Sequence, residues 1–213
     1  MKKTTITICL LLIATLAFSQ EDREMKTLFG NGGIYSHGGY GGITTSYSSI
    51  DNRDAILIGG RGAWLINHRI GIGLAGTGFL TEARTDTQLN NRYEYIGGYG
   101  GLFLEFIVNP ESPVHLSFPI TIGAGGIAYS RAHNSFRGGD FDFFEEDSQA
   151  FFVVEPGIEL ELNVIKFMRV AFGVSYRHTS DIELNYASSG QAIAPKDALR
   201  GLSGGVTLKF GKF

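Results

Sequence analysis

Apolar and polar residues alternate strictly along two neighbouring stretches of the chain, between Ala150 and Tyr176. Alternation of this length is typical of β-strands, because successive side chains of a strand point to opposite faces. A three-residue turn at 165–167 would join the two strands and set Glu155 directly opposite Arg177. The pattern therefore predicts an antiparallel hairpin with one apolar and one polar face. The apolar faces comprise Phe152, Val154, Pro156, Ile158, Leu160, Leu162 and Val164 on the first strand, and Met168, Val170, Phe172, Val174 and Tyr176 on the second.

The length of the second strand indicates which environment its apolar face meets. From Met168 to Tyr176 it would cover roughly 30 Å, or about 23 Å of depth at a tilt of about 40°. That depth matches the apolar band of a membrane barrel, whereas the strands of soluble barrels are usually shorter. We therefore predict that the apolar face meets lipid and that the charged face lines the lumen. The alternative is a secreted soluble barrel that binds a ligand inside an apolar lumen.

The same alternation extends over most of the chain and predicts eight strands. Tight and long connections alternate between them, except that the first connection, 50–54, is short although it falls on the long-loop side. An even number of strands with this alternation of connections is the arrangement of a closed up-and-down barrel. The predicted strands span 33–49, 55–66, 70–84, 92–108, 114–131, 148–164, 168–186 and 199–213, with tight connections at 67–69, 109–113 and 165–167 and long polar ones at 85–91, 132–147 and 187–198.

The first residues have the pattern of a signal peptide. Two lysines follow Met1, residues 6–16 are apolar, and Ala17-Phe18-Ser19 places small residues where a signal peptidase cleaves. We predict a signal peptide over 1–19, a short periplasmic lead over 20–32 and a barrel domain over 33–213. Cys9 is the only cysteine and would leave with the signal peptide, so no disulfide or cysteine-metal site is expected.

Composition and charge restrict the remaining possibilities. The chain has 30 Gly, 16 Phe and 9 Tyr, which suits β-structure. No further apolar run reaches the roughly 18 residues of a transmembrane helix, so a membrane-spanning chain must form a closed barrel. Loss of Lys2 and Lys3 would take the formal net charge from −3 to −5. With no basic tract present, we expect no nucleic-acid partner.

The strand number and the alternation of short turns with long loops resemble the small eight-stranded outer-membrane barrels, such as the OmpA transmembrane domain and OmpX. The resemblance covers 33–213 and implies an all-β, eight-stranded antiparallel transmembrane β-barrel with an up-and-down meander. It also implies export to the cell outer membrane, folding by the barrel assembly machinery, and a monomer embedded in outer-membrane lipid. The last strand resembles the terminal assembly signal of this class, which would comprise Gly205, Leu208 and Phe210, with Phe213 as the alternative closing aromatic.

Charged residues at lumen-facing positions nearly balance. The interior of an eight-stranded barrel is just wide enough for side chains to fill. We therefore predict a salt-bridge network that plugs the lumen, with a narrow porin-like channel as the alternative. The predicted network comprises Arg61, Glu105, Arg131, Glu155, Glu159, Glu161, Arg169, Arg177 and Lys209.

Aromatic residues recur at apolar positions near the strand ends. Amphipathic rings collect where the membrane meets water, so these residues predict an aromatic girdle. The girdle would consist of Trp64, Phe106, Phe118, Tyr176 and Phe210.

One loop is strongly acidic. Residues 138–147 carry five carboxylates beside several phenylalanines. Calcium binds oxygen clusters, but the ligand spacing and turn glycine of a calcium loop are missing here. We predict a solvated loop, 132–147, whose phenylalanines contact a partner or the lipid surface.

Two short motifs suggest chemistry. Residues 177–181 resemble the His-x-Ser-Asn segment of PagL, an outer-membrane lipid A deacylase, with Asp181 in place of the Asn. The resemblance implies His178 as base and Ser180 as nucleophile, although no glutamate follows Glu183 to orient the histidine. The glycine pattern at 71–76 lies in alternating sequence with no helix after it, so we predict no nucleotide site.

We predict no metal or cofactor site and no enzymatic activity. The favoured function is an integral outer-membrane barrel that serves envelope structure or surface interaction through its long loops. The alternatives are a PagL-like deacylase that uses His178 and Ser180, and a narrow porin-like channel.

Overall fold

The computed structural model describes residues 36–132 and 145–213. Within these ranges the chain is all β, and they contain no helix that is long and apolar enough to cross a membrane. The predicted signal peptide and lead, 1–32, lie outside the described residues. The strands are β1 (His37–Ile50), β2 (Arg53–Ile66), β3 (Ile70–Thr81), β4 (Arg84–Asp86), β5 (Asn91–Val108), β6 (Val114–Arg131), β7 (Glu145–Ile165), β8 (Met168–Thr179) and β9 (Gly201–Lys212).

Eight long strands close into an antiparallel barrel. Each pairs with its neighbour in the chain, β1 pairs with β9, and β3 pairs directly with β5. The three-residue β4 lies beside β5 beyond the end of β3. The predicted fold class is confirmed. We call the end with the short turns at 67–69, 109–113 and 166–167 the inner end, and the opposite end the outer end.

The two faces of the strands have opposite chemistry, as their alternation predicts. Leu74, Phe152 and Leu202 point outward and are at least 70% exposed, whereas Lys209 and Glu161 point inward and are fully buried. An apolar exterior around a charged interior is the inverse of a soluble barrel. The structure therefore supports the lipid-facing orientation and not the soluble ligand-binding alternative.

The register of the β7–β8 hairpin agrees with the prediction, but its turn does not. Val153 pairs with Thr179 and Gly157 with Ser175, which is the register that sets Glu155 opposite Arg177. The turn has two residues, 166–167, because Ile165 pairs directly with Met168. A register shift between Asn163 and Ile165 absorbs the extra residue.

Several strand boundaries were predicted wrongly: β1 begins at His37 rather than at 33, and β3 ends at Thr81 rather than at 84. β7 begins at Glu145 rather than at 148, and β8 ends at Thr179 rather than at 186. Beyond Thr179 the backbone bonds to another part of the chain: Ile182 N donates to Lys196 O at 2.9 Å. The apolar residues after Thr179 alternate because they cover the barrel mouth, and not because they extend the wall.

Two apolar clusters fill the lumen at different depths. The smaller cluster, near the inner end, includes Tyr40, Leu65 and Phe103. The larger cluster, at the outer end, combines wall residues with residues from the β8–β9 connection, 180–200. Interior glycines permit the tight curvature that closes eight strands: a Cβ on Gly123 would collide with the carbonyl oxygen of Gly100 on the adjacent strand.

Candidate functional site

A buried ammonium group lies at the centre of the inner half of the lumen. Lys209 Nζ on β9 is 2.6 Å from Glu105 Oε1, 2.5 Å from Glu161 Oε1 and 3.3 Å from Glu159 Oε2. The side chains of Lys209, Glu105 and Glu161 have no solvent exposure. We call these residues, with the partners described next, the ion cluster.

The remaining carboxylate oxygens have partners on other strands. Arg61 Nη2 is 2.6 Å from Glu159 Oε2, and the Tyr40 hydroxyl donates to Glu105 Oε2 at 2.7 Å. His115 Nε2 and Arg169 Nη1 lie 3.2 and 3.4 Å from Glu161 Oε2.

Three carboxylates thus face three permanent cations. A buried charge destabilises a fold unless it is paired and hydrogen-bonded, and here each carboxylate has at least two partners. The oxygens of Glu105, Glu159 and Glu161 lie within 4.8 Å of one another, close enough to coordinate a metal ion. Lys209 Nζ already supplies the positive charge at their centre, so the arrangement suits an internal ammonium rather than a metal centre.

Phe213 covers the inner side of the ion cluster. Its ring stacks on Tyr40 with 5.7 Å between centroids, and Arg169 Cζ lies 4.0 Å from the ring centroid. Of the residues in the predicted assembly signal, Leu208 and Phe210 face outward, whereas Gly205 faces inward. Phe210 is therefore the aromatic on the lipid side of β9, and Phe213 packs inside the barrel.

A polar chamber lies above the ion cluster, in the middle of the lumen. It has a volume of about 90 Å³, and its lining includes the hydroxyl groups of Thr44, Thr207 and Ser175 beside glycines and apolar and charged side chains. Glu155 lies on its wall and accepts hydrogen bonds from Tyr99 at 2.7 Å and from Ser175 at 2.8 Å. A chamber of this size holds several water molecules.

Two arginines of the predicted network do not form the expected ion pairs. Arg177 lies opposite Glu155 in register, but its Nε donates to Leu199 O at 2.7 Å and its Nη2 lies 3.4 Å from Ser48 Oγ. Arg131 has lumen-facing parity, but it is exposed at the outer tip of β6. Within the described residues, neither takes part in a salt bridge.

The outer mouth is closed by the β8–β9 connection, which we call the lid (residues 180–200). Asp86 on β4 holds the lid: its carboxylate accepts hydrogen bonds from Tyr186 at 2.6 Å and from Tyr129 at 2.9 Å. The amides of Leu89 and Gln88 donate to it as well. Burial alone would raise the pKa of Asp86, but these hydrogen bonds outweigh burial and hold the pKa below its ordinary value.

Aromatic rings fill the space beneath the lid. The rings of Tyr95 and Tyr129 lie 5.0 Å apart, and Arg53 Cζ lies 4.7 Å from the first and 5.5 Å from the second. Ile182 and Leu199 of the lid are fully buried among these rings. The lumen is therefore filled by the ion-paired side chains of the ion cluster in its inner half and by apolar and aromatic side chains at its outer end.

The predicted girdle residues all lie on the exterior. Phe106 and Phe118 pair across β5 and β6, Phe210 faces Met168 across β9 and β8, and Trp64 packs on His37. These positions form a ring near the inner end, whereas Tyr176 lies at the outer end of β8.

Within the described residues, no acidic side chain contacts His178, the predicted base of a hydrolase site. His178 and Ser180 are both exposed on the exterior of the wall, and Ser180 Oγ accepts a hydrogen bond from Phe152 N at 3.1 Å. Asp181 pairs with Arg200, and Glu183 with Lys196. Among the described residues, none of these acidic groups orients His178.

Sequence analysis missed two members of the ion cluster. Tyr40 and His115 both have lumen-facing parity, and His115 lies directly opposite Glu161 in the β6–β7 ladder. A search for any polar-tipped side chain on that parity, and not only for charged ones, would have found both. The acidic segment 138–147 lies mostly outside the described residues; Glu146 and Asp147 accept hydrogen bonds from backbone amides of the lid.

Comparison with known proteins identifies the fold. No protein-family model and no curated protein sequence matches the chain. Among solved structures, it is similar to neisserial surface protein A, NspA, with a TM-score of 0.51 and 11% identity, over 83% of this chain and 97% of that one. The chain has an outer-membrane β-barrel fold. Other matches are the N-terminal β-barrel domain of Pseudomonas aeruginosa OprF (TM-score 0.45, 10% identity, 83% of this chain and 98% of that one) and Yersinia pestis Ail in complex with the heparin analogue sucrose octasulfate (TM-score 0.42, 10% identity, 83% and 98%).

This fold and the apolar exterior together account for the membrane environment. On every long strand, alternate residues place apolar side chains on the exterior, as a barrel wall in lipid requires. The protein is an integral outer-membrane barrel, and the inner end with its short turns corresponds to the periplasmic side of such barrels.

Proposed function

We propose that the protein is a non-enzymatic outer-membrane barrel with a sealed lumen, and that it acts through contacts made at its outer end. The observation that carries this proposal is the ion cluster. The ion pairs of Lys209 and Arg61 bridge four strands, β2, β5, β7 and β9, across the lumen with contacts of 2.5 to 3.3 Å. A conducting pore needs a continuous aqueous path and usually an excess of one charge sign along it, whereas here the charges pair with one another.

The outer end supports the second part of the proposal. The connection between β3 and β5 and the lid lie there. Asp86 anchors the lid through the Tyr186 hydroxyl, and its carboxylate accepts three further hydrogen bonds from β6 and the β4–β5 connection. Binding residues commonly lie on loops that a rigid scaffold positions, and this barrel end has that construction.

Conductance across a planar lipid bilayer tests the sealed lumen. We expect the refolded wild-type protein to give no steady channels, because the cluster and the lid block the lumen in series. Lys209→Ala alone should also stay silent because the lid remains, whereas Lys209→Ala combined with Asp86→Ala, which releases Tyr186 of the lid, should produce cation-selective openings. Lys212→Ala removes an exposed lysine of the same strand and should stay silent. Steady channels in the wild-type protein would overturn the proposal.

Mass spectrometry of lipid A tests the absence of enzymatic activity. Cells with the intact protein and cells with the His178→Ala variant should have the same acyl pattern, because no acidic group among the described residues orients His178. A loss of one acyl chain that depends on His178 would instead establish a deacylase.

A further inference from the structure

The outer part of β7 has an open strand edge. β8 pairs with β7 only as far as the couple Val153–Thr179, yet β7 continues outward to Glu145. One more contact follows: Ser180 N donates to Phe152 O at 3.0 Å, and Phe152 N donates to Ser180 Oγ at 3.1 Å. Beyond Phe152, no strand of the described residues lies in ladder register on this side of β7.

The lid leaves this edge because its backbone pairs with itself. Ile182 N donates to Lys196 O at 2.9 Å, and Leu184 O accepts from Ile193 N at 2.7 Å. These bonds form a small hairpin that folds inward over the barrel mouth. The backbone groups that would otherwise continue the β7–β8 ladder are thereby used within the lid.

β7 holds the lid by its side chains instead of its backbone. Asp147 Oδ2 accepts a hydrogen bond from Asn185 N at 2.7 Å, and Glu146 Oε1 accepts one from Ala187 N at 2.9 Å. Gln149 accepts another from Glu183 N. The β7 backbone at the same level takes no part in these contacts.

The backbone groups left for an added strand are the N–H and C=O of Ala150 and the C=O of Ser148, since the Ser148 N–H donates to Asp147 Oδ1 at 2.8 Å. Backbone groups of alternate residues in an antiparallel strand point to the same neighbour, so Ala150 and Ser148 point to the same side as Phe152. Within residues 36–132 and 145–213, no backbone partner reaches them on that side. Both residues are exposed. An edge of this kind accepts an extended chain by strand addition.

The charges around the edge favour a basic occupant. Glu146 and Asp147 lie on β7, and Asp181 and Glu183 lie on the adjacent part of the lid. Among the described residues, only the last two form ion pairs, with Arg200 and Lys196 at 2.5 Å each. A basic strand would gain from this excess of negative charge, whereas a second copy of β7 would bring the same acidic groups against them.

We propose that the edge of β7 at 146–150 binds a basic extended peptide segment of a protein partner by strand addition. This inference deepens the proposed function and rests on it, since it names the partner chemistry at the outer end. The ladder through Ser148 and Ala150 supplies affinity that does not depend on sequence. The flanking carboxylates supply selectivity for lysine and arginine on the added strand.

Binding of a labelled peptide tests the proposal. The full barrel is placed in nanodiscs of zwitterionic phosphatidylcholine, and the probe is a fluorescent heptapeptide of alternating lysine and valine, measured by anisotropy. We expect binding that empty nanodiscs do not give and that weakens with added salt. The matched peptide of glutamate and valine should not bind. Equal binding of both peptides would overturn the charge argument.

Two substitutions at one position test the edge itself. Ala150→Pro removes the backbone N–H and should weaken peptide binding about tenfold, while Ala150→Val keeps it and should bind as the wild type does. Proline is tolerated here because that N–H bonds to no strand, and heat-modifiable gel migration checks folding of both variants. Glu146→Gln should weaken binding of the basic peptide alone. Unchanged binding by Ala150→Pro would overturn the proposal.

The remaining outcomes are distinguishable. If the protein dimerises with rising concentration and Ala150→Pro abolishes the dimer, the edge pairs with a second copy and the peptide proposal fails. If no peptide binds but the wild-type barrel stays silent in the bilayer, this inference fails and the sealed barrel stands.

Discussion

Replacing Lys209 should destabilise the barrel more than any other single lysine substitution in the described residues. Lys209→Met keeps most of the side-chain volume but removes the ammonium group that lies 2.5 to 3.3 Å from three carboxylates. Loss of one partner from a buried ion pair costs about 3–5 kcal/mol, because the remaining charge stays buried without compensation. Among the described residues, Glu105 would then retain only the Tyr40 hydroxyl as a side-chain donor. We therefore expect the free energy of unfolding to fall by about 4 kcal/mol.

Urea unfolding in lipid vesicles measures this loss. Trp64 is the only tryptophan and lies on the lipid-facing exterior, so its fluorescence reports the transfer of the wall from lipid to water. The control is Lys212→Met, an exposed position on the same strand, which should change the free energy of unfolding by less than about 0.5 kcal/mol. The second variant, Lys209→Met with Glu161→Gln, removes one of the uncompensated charges and should recover part of the loss.

The outcome discriminates between two roles for the cluster. If the free energy of unfolding of Lys209→Met lies within about 1 kcal/mol of the wild-type value, the three carboxylates are not stabilised by the ammonium group. The lumen would then be hydrated enough to screen them, and the argument for a sealed barrel would lose its physical basis.

Two further predictions concern the lid and the orientation of the wall. Because the pKa of Asp86 is lowered in the folded state, its stabilising effect is complete above the ordinary pKa near 4 and is lost as the pH falls through the lower folded value. Hydrogen exchange at the Leu89 amide should therefore accelerate about tenfold in that acidic range. In the Asp86→Asn variant it should be accelerated at every pH. Protection of the Leu89 amide that persists in Asp86→Asn would refute the role of the carboxylate. In a Cys9→Ala background, Leu208→Cys should react with a lipid-soluble maleimide and Thr207→Cys should not, since only the first faces lipid. The reverse labelling pattern would show that the lipid-facing and lumen-facing sides of the strands are assigned the wrong way round.

Sequence alone predicted the wall well because a strand wall follows from a local rule. The period of two assigns each residue to a face, and one buried face fixes the register, so the β7–β8 pairing could be derived from the hairpin alone. The exposure of Leu160 and the burial of Glu161 follow from the same alternation. The predicted length of the β7–β8 turn was wrong because the two-residue alternation gives no signal of the register shift near Asn163.

Features that depend on depth or on distant contacts could not be derived in this way. Arg131 has the correct parity but lies above the rim, because parity gives the face of a residue and not its height. Arg177 lies opposite Glu155, but its side chain bonds to Leu199 O from the lid instead. The contact of Asp86 with Tyr186 joins positions 100 residues apart, and local sequence does not encode it.

The two closures of the lumen differ in kind, and this difference decides what each can do. The ion cluster is built from wall residues on strands that cannot move without breaking the barrel ladder, so it acts as a permanent seal. The lid is a hairpin that the wall holds through side-chain oxygens and the Asp86 hydrogen bonds, so it can shift while the ladder stays intact. Movement of the lid alone would therefore change the outer surface, including the β7 edge, without opening a path across the membrane. Under the proposed function, surface recognition is thereby separated from permeability.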